Sequence, residues 1–167
     1  MSGTGKSTLV AELRARGHAA FDADDDGFSE PRGDGRWGWR ADRVADLLAR
    51  HADGPVFFAG CSEEQADLPF DYRVLLTAPA PVLVERLRTR SGNGYGREPG
   101  ELAQVLKDLE AIEPLLRRSA DLVLTTTAVP PSDLADRVLA AILGVREPVP
   151  KPRRGANNVP GHGQGNR

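Results

Sequence analysis

The chain has 167 residues, 40% of them hydrophobic, which suits a single domain with one core of ordinary size. Its formal charge of −2 is unevenly spread: residues 1–145 carry 17 basic and 23 acidic side chains, and residues 146–167 carry five basic and one acidic. An acidic body argues against a nucleic-acid-binding face, the lone Cys61 excludes an internal disulfide framework and suits a reducing cytoplasm, and no apolar run approaches the roughly 18 residues of a membrane span.

The chain opens on Gly3-Thr4-Gly5-Lys6-Ser7-Thr8. This is the back part of a phosphate-binding loop, whose full form is Gly, four free positions and then Gly-Lys-Ser or Gly-Lys-Thr. Counting back from Gly5 puts the first Gly one residue before Met1, so the chain is expected to start inside the motif. Gly3 and Gly5 let the backbone curl so that successive N–H groups, that of Thr4 among them, face one anion. Lys6 adds a point charge for the β- and γ-phosphates, Ser7 is a candidate Mg²⁺ ligand, and Thr8 opens a helix whose positive end adds to the phosphate field.

Apolar runs then alternate with amphipathic stretches. Short strands are predicted at 19–21 ending at Asp22, at 55–59 ending at Gly60, at 72–76 and at 121–124. Helices are predicted at 7–16, 40–51, 81–90, 99–118 and 132–143, with Pro81 and Pro99 in first turns. Unbroken apolar strands separated by helices predict a parallel sheet covered on both faces. The domain is expected over 1–145. Residues 146–167 hold four Pro and four Gly and almost no large apolar side chains, so a disordered basic tail is expected there.

In such sheets a ligand sits beyond the carboxyl ends of the strands, so the residues that follow each strand are the candidates. After the first comes Asp22-Ala23-Asp24-Asp25-Asp26. Near a phosphate loop, Asp22 can hold Mg²⁺ through water and Asp24 can orient or deprotonate a substrate hydroxyl; Asp25 and Asp26 read as a solvated acidic turn. After the second comes Gly60-Cys61-Ser62, with no carboxylate, so the metal role falls to Asp22. Gly60 either lets substrate approach the backbone or makes a plain turn. A basic, Gly-rich segment follows the helix at 81–90. Arg90 and Arg97 are read as closing over a transferred phosphoryl group, against the alternative of exposed surface arginines, and Arg86 and Arg88 stay open.

Taken in order, these residues resemble the small P-loop kinases of the shikimate, gluconate and nucleoside monophosphate kinase type. The resemblance covers roughly residues 1–143 and extends to Glu113-Pro114-Leu115-Leu116 ahead of Ala120-Asp121. It implies an α/β fold and transfer of the ATP γ-phosphoryl group, with Mg²⁺, to a small-molecule or nucleotide acceptor. It places Asp22 on a metal-water Asp, Asp24 on a substrate-binding Asp, Arg40 on a substrate-binding Arg, and 125–131, with Thr127, on the adenine loop. Gly60-Cys61-Ser62 stands where the shikimate kinase pattern has three glycines, and Ile112 where it has an Arg; the loss of that Arg, a carboxylate ligand, argues against shikimate as acceptor. The resemblance also implies a first strand at the sheet centre, directly before the phosphate loop, and the chain as written is expected to lack it. A monomer with no nucleic-acid or membrane partner is expected; the alternatives are a nucleotide-binding or ATPase module without an acceptor, and an inactive truncated fragment.

Overall fold

The computed structural model describes residues 2–33, 36–90 and 94–144. The expected tail over 146–167 and residues 91–93 of the Gly-rich segment lie outside them. Helix α1 (Lys6–Ala15) begins directly after Gly5 and presents Leu9, Val10 and Leu13 to the core. Gly17, at φ 86°, ends it: the Gly17 N–H bonds the Arg14 carbonyl and the His18 N–H the Leu13 carbonyl, a left-handed stop that glycine adopts without strain. Strand β1 (Ala19–Asp22) follows, then β2 (Ser29–Pro31), β3 (Trp37–Trp39), helix α2 (Ala41–Arg50) and β4 (Val56–Ala59). After a short 3-10 turn at Glu63–Ala66 come β5 (Val74–Thr77), α3 (Ala80–Thr89), α4 (Pro99–Ala111), α5 (Glu113–Ser119), β6 (Leu122–Thr125) and α6 (Pro131–Gly144).

The predicted parallel pairing is present as two ladders. β1 runs parallel to β4 in the register Ala19 to Val56 through Asp22 to Ala59, and β5 runs parallel to β6 from Val74 with Leu122 to Thr77 with Thr125. Among the described residues no strand pairing joins β4 to β5. The two ladders are held together by a shared helical layer: Leu9, Val10 and Leu13 of α1 and Leu134, Ala135 and Val138 of α6 pack with Ala20, Leu76 and Leu124. The opposite face is aromatic. Trp39, Phe28 and Phe70 surround Phe58, with ring centroids 5.0, 5.3 and 6.0 Å away, and Val44 and Leu47 of α2 cover them. Helices on both faces of parallel strands make this the expected α/β architecture.

Two elements differ from the sequence expectation. The helix predicted over 99–118 is two helices, α4 and α5, meeting at Ile112. Pro114 is the cause: it has no N–H, and its ring would collide with the carbonyl four residues back in a continuous helix. The antiparallel pair β2–β3 was not predicted. Its strands are three residues long and one ends on Pro31, so the alternation that marks a strand is too short to register. No helix among the described residues is long and apolar enough to cross a membrane.

Candidate phosphate-binding site

The phosphate loop has the predicted backbone. Gly3 and Gly5 take φ values of 80° and 93°, a region that side chains strain to enter, and the Gly5 carbonyl accepts the first helical bond from the Leu9 N–H at 3.0 Å. Thr4 is buried between them. The turn therefore delivers Lys6, Ser7 and Thr8 to the amino end of α1, where the helix dipole favours an anion.

Ser7 and Asp22 meet beneath this loop. The Ser7 hydroxyl donates to Asp22 Oδ2 at 2.7 Å, and Asp22 is only 4% exposed. The other carboxylate oxygen, Oδ1, accepts the Asp24 N–H at 3.1 Å, so Asp22 folds the acidic turn around itself. Asp26 caps the same turn by accepting the Asp22 N–H at 2.7 Å, and it pairs with Arg14, whose Nε donates to the Ala20 carbonyl at 2.7 Å. Asp24 is exposed and accepts the Ser29 hydroxyl at 2.8 Å. The carboxyl of Asp25 is pushed above the ordinary carboxylate range, first by partial burial and then by repulsion from Asp22, Asp24 and Asp26.

Arg86 ties the loop to the other ladder. Its guanidinium donates to the Gly3 carbonyl at 3.2 Å, to Thr126 Oγ1 at 2.8 Å and to the Thr126 carbonyl at 2.7 Å. Thr126 is buried and is itself anchored, its N–H bonding the Thr77 carbonyl at 2.9 Å. The sequence left Arg86 open because a helix carries arginines on several faces; the Thr126 that follows β6 directly is the signal that selects this one.

These groups surround one cavity of about 670 Å³, lined by Gly3, Gly5, Lys6, Ser7, Thr8, Asp22, Asp24, Asp25, Arg86 and Arg90, with Thr89 and Thr126. Of the sequence candidates, the structure does not bring Arg97, Thr127, Arg40 or Gly60 to it. The Arg97 guanidinium donates to the Arg90 carbonyl, and Arg90 donates to the Tyr95 carbonyl, so Arg97 braces the segment that Arg90 terminates. Thr127 lies one residue beyond the lining Thr126, at a turn where Ala128 has φ 55°. Arg40 caps α2 on the hairpin side of the fold and pairs through Nε with Glu30 at 3.3 Å. Gly60 is filled by its neighbours. A Cβ there would lie 2.6 Å from Trp39 Cζ2 and 2.9 Å from Ala23 Cβ, so the close approach that glycine permits is made by the Trp39 indole.

A Gly-rich turn and lysine at a helix start, beside a serine hydroxyl bonded to a buried Asp at the carboxyl end of a parallel strand, define a small P-loop kinase-like domain. The chain belongs to the AAA_18 family, an AAA domain, whose match spans residues 1–107. Among solved structures it is similar to a shikimate kinase from Acinetobacter baumannii in complex with shikimate, at 16% identity and a TM-score of 0.57, over 86% of this chain and 89% of that one. That likeness is one of fold. No curated protein matches the chain.

Proposed function

We propose that the chain binds ATP with Mg²⁺ and transfers the γ-phosphoryl group to a hydroxyl or phosphate of a small metabolite or nucleotide. The observation that carries this reading is the hydrogen bond from the exposed Ser7 hydroxyl to the buried Asp22 carboxylate, 2.7 Å long, in the same cavity as Lys6, Asp24 and Arg90. Ser7 and Asp22 fit Mg²⁺: they are adjacent hard oxygen donors, and this ion takes one or two protein ligands and completes its octahedron with water and phosphate oxygens. Bound there, it would supply charge neutralisation for the β- and γ-phosphates. Ser7 keeps its lone pairs for a cation, because its proton is committed to Asp22.

The chain's own groups do the rest by placement and charge. Lys6 and the amides of the loop hold the phosphates. Asp24 orients the acceptor hydroxyl and takes its proton as the oxygen bonds to the γ-phosphorus, while the bridge to the β-phosphate breaks and the electron pair leaves with ADP. Arg90 faces the charge that spreads over the transferred oxygens. Arg86 acts through Gly3 and Thr126, holding the loop rather than the ligand. The single cysteine, Cys61, suits a cytoplasmic setting.

A second reading, ATP hydrolysis without an acceptor, draws on the placement of Arg40 and Gly60 outside the cavity. A panel of hydroxylated and phosphorylated metabolites, assayed for ADP release with Mg-ATP, separates the two. Release that rises at least tenfold with one acceptor class, and is lost in Lys6→Ala, is the expected result. Release equal with and without every acceptor supports hydrolysis, and absence of Mg-ATP binding overturns both readings.

A further inference from the structure

The metal-binding pair spans two elements, Ser7 on α1 and Asp22 at the end of β1, so its 2.7 Å bond depends on how far the helix is slid along the strand. Apolar packing sets that register poorly. Leu9, Val10 and Leu13 of α1 pack with Ala20, whose single methyl gives their side chains little to lock against, and apolar contact has no preferred direction. A second polar contact between the same two elements fixes it. Arg14 stands seven positions after Ser7, about 10 Å along the axis and on the same face of α1. Its Nε donates to the Ala20 carbonyl of β1 at 2.7 Å, and its guanidinium pairs with Asp26.

Asp26 carries the contact on to Asp22. Its carboxylate accepts the Asp22 N–H at 2.7 Å, and its own N–H bonds the Asp22 carbonyl at 3.0 Å, so one neighbour holds the backbone of the metal-binding residue on both sides. The Asp22 side chain is thereby left to Ser7 and to the Asp24 N–H. Arg14 also brings positive charge to a turn of four carboxylates, where it opposes the repulsion that Asp22, Asp24 and Asp26 exert on Asp25. We propose that Arg14 and Asp26 are positioning residues for Mg²⁺: Arg14 grips β1 and Asp26 together, and so holds α1 and the acidic turn in the register at which Ser7 and Asp22 share one cation. Neither residue lines the phosphate cavity, so both act through Ser7 and Asp22, on the reading that this pair holds Mg²⁺.

The test is the Mg²⁺ concentration that gives half-maximal ATP binding, read on the full chain by calorimetric titration of ATP at a series of Mg²⁺ concentrations. Arg14→Ala and Asp26→Ala should each raise it about tenfold or more, the usual effect of removing a group that orients a metal ligand. In the metal-free chain, hydrogen exchange at the Asp22 amide, which donates to Asp26, should quicken about tenfold in Arg14→Ala. Arg16→Ala is the control for a merely structural loss. Arg16 lies two residues further along α1 and pairs with Glu12 and with Asp136 of α6, so its removal should lower the melting temperature while the Mg²⁺ half-point moves less than about twofold. Should Arg14→Ala melt below the assay temperature, Arg14→Lys keeps the charge without the fork and should raise the half-point about threefold. Half-points within about twofold of wild type in the Arg14 and Asp26 variants, an unchanged Asp22 amide in Arg14→Ala, or an equal shift in Arg16→Ala would overturn the positioning role alone. Wild-type ATP binding that does not depend on Mg²⁺ would overturn the metal reading itself, and the positioning role with it.

Discussion

Arg86→Ala removes three hydrogen bonds at once, to the Gly3 carbonyl, Thr126 Oγ1 and the Thr126 carbonyl, at 3.2, 2.8 and 2.7 Å. A bond from a charged donor contributes about 1.5–3 kcal/mol, and three that share one guanidinium are lost together rather than additively. The expected loss is therefore about 2–4 kcal/mol, a large share of the roughly 5–15 kcal/mol that holds a domain folded. At about 2–4 °C per kcal/mol for a domain of this size, the melting temperature should fall by roughly 4–16 °C. Nucleotide affinity, measured well below that temperature, should fall too, because Gly3 loses its tie to the Thr126 loop. Arg86→Lys keeps the charge but cannot span three acceptors in a fork, so it should lie between the two. A melting temperature within 1 °C of wild type, with unchanged affinity in Arg86→Ala, would show that the loop holds its shape without this clamp.

Three further outcomes follow from the same geometry. Gly60→Ala should cost about 1–3 kcal/mol by overpacking, since its Cβ meets Trp39 Cζ2 at 2.6 Å, while Mg-ATP affinity stays unchanged; a neutral melting temperature would refute the packing role. Asp22→Asn should weaken the Mg²⁺ dependence of nucleotide binding, whereas Asp24→Asn should chiefly lower kcat for transfer, and identical kinetic effects of the two would contradict the division of roles. For Asp25, the raised folded-state pKa means that the native state holds the proton more tightly, so its contribution to stability is present at low pH and is lost as pH rises through the raised value. Asp25→Asn should thus raise the melting temperature by on the order of 1 °C at neutral pH and match wild type below the carboxylate range, and an equal difference at both pH values would count against the repulsion.

The parts of the site that were legible in sequence are those fixed by backbone chemistry over a few residues. Gly3, Gly5 and Lys6 announce their turn by type and spacing, and Asp22 is legible because the run Ala19-Ala20-Phe21 stops at the first charge, which marks a strand's carboxyl end. The Ser7–Asp22 contact then follows from two elements that each declare their ends. What was not legible depends on neighbours distant in the chain. Gly60 reads as open backbone until Trp39, 21 positions earlier, is seen to occupy its face. Arg97 has the residue type and loop expected of a lid arginine, yet it bonds the Arg90 carbonyl, and no local pattern encodes which acceptor a long side chain finds. The break between α4 and α5 was available in Pro114, which outweighs the helical periodicity on either side of it.

The layer formed by α1 and α6 gives the molecule a particular pattern of cooperativity. Among the described residues β1 pairs only with β4 and β5 only with β6, and apolar contacts that cross from one ladder to the other run through Leu13, Val138 and their neighbours in this layer. The two halves are thus two opening units coupled by a helical seam, and the strength of the seam sets whether they open as one or separately. Ser7 and Asp22 stand on elements of the β1 half, Arg86 and Thr126 on those of the β5 half, so the phosphate cavity exists only while the units stay joined. Ligand that bridges the cavity draws the halves together, and in doing so trades binding energy for cooperativity between ladders that share no strand pairing among the described residues.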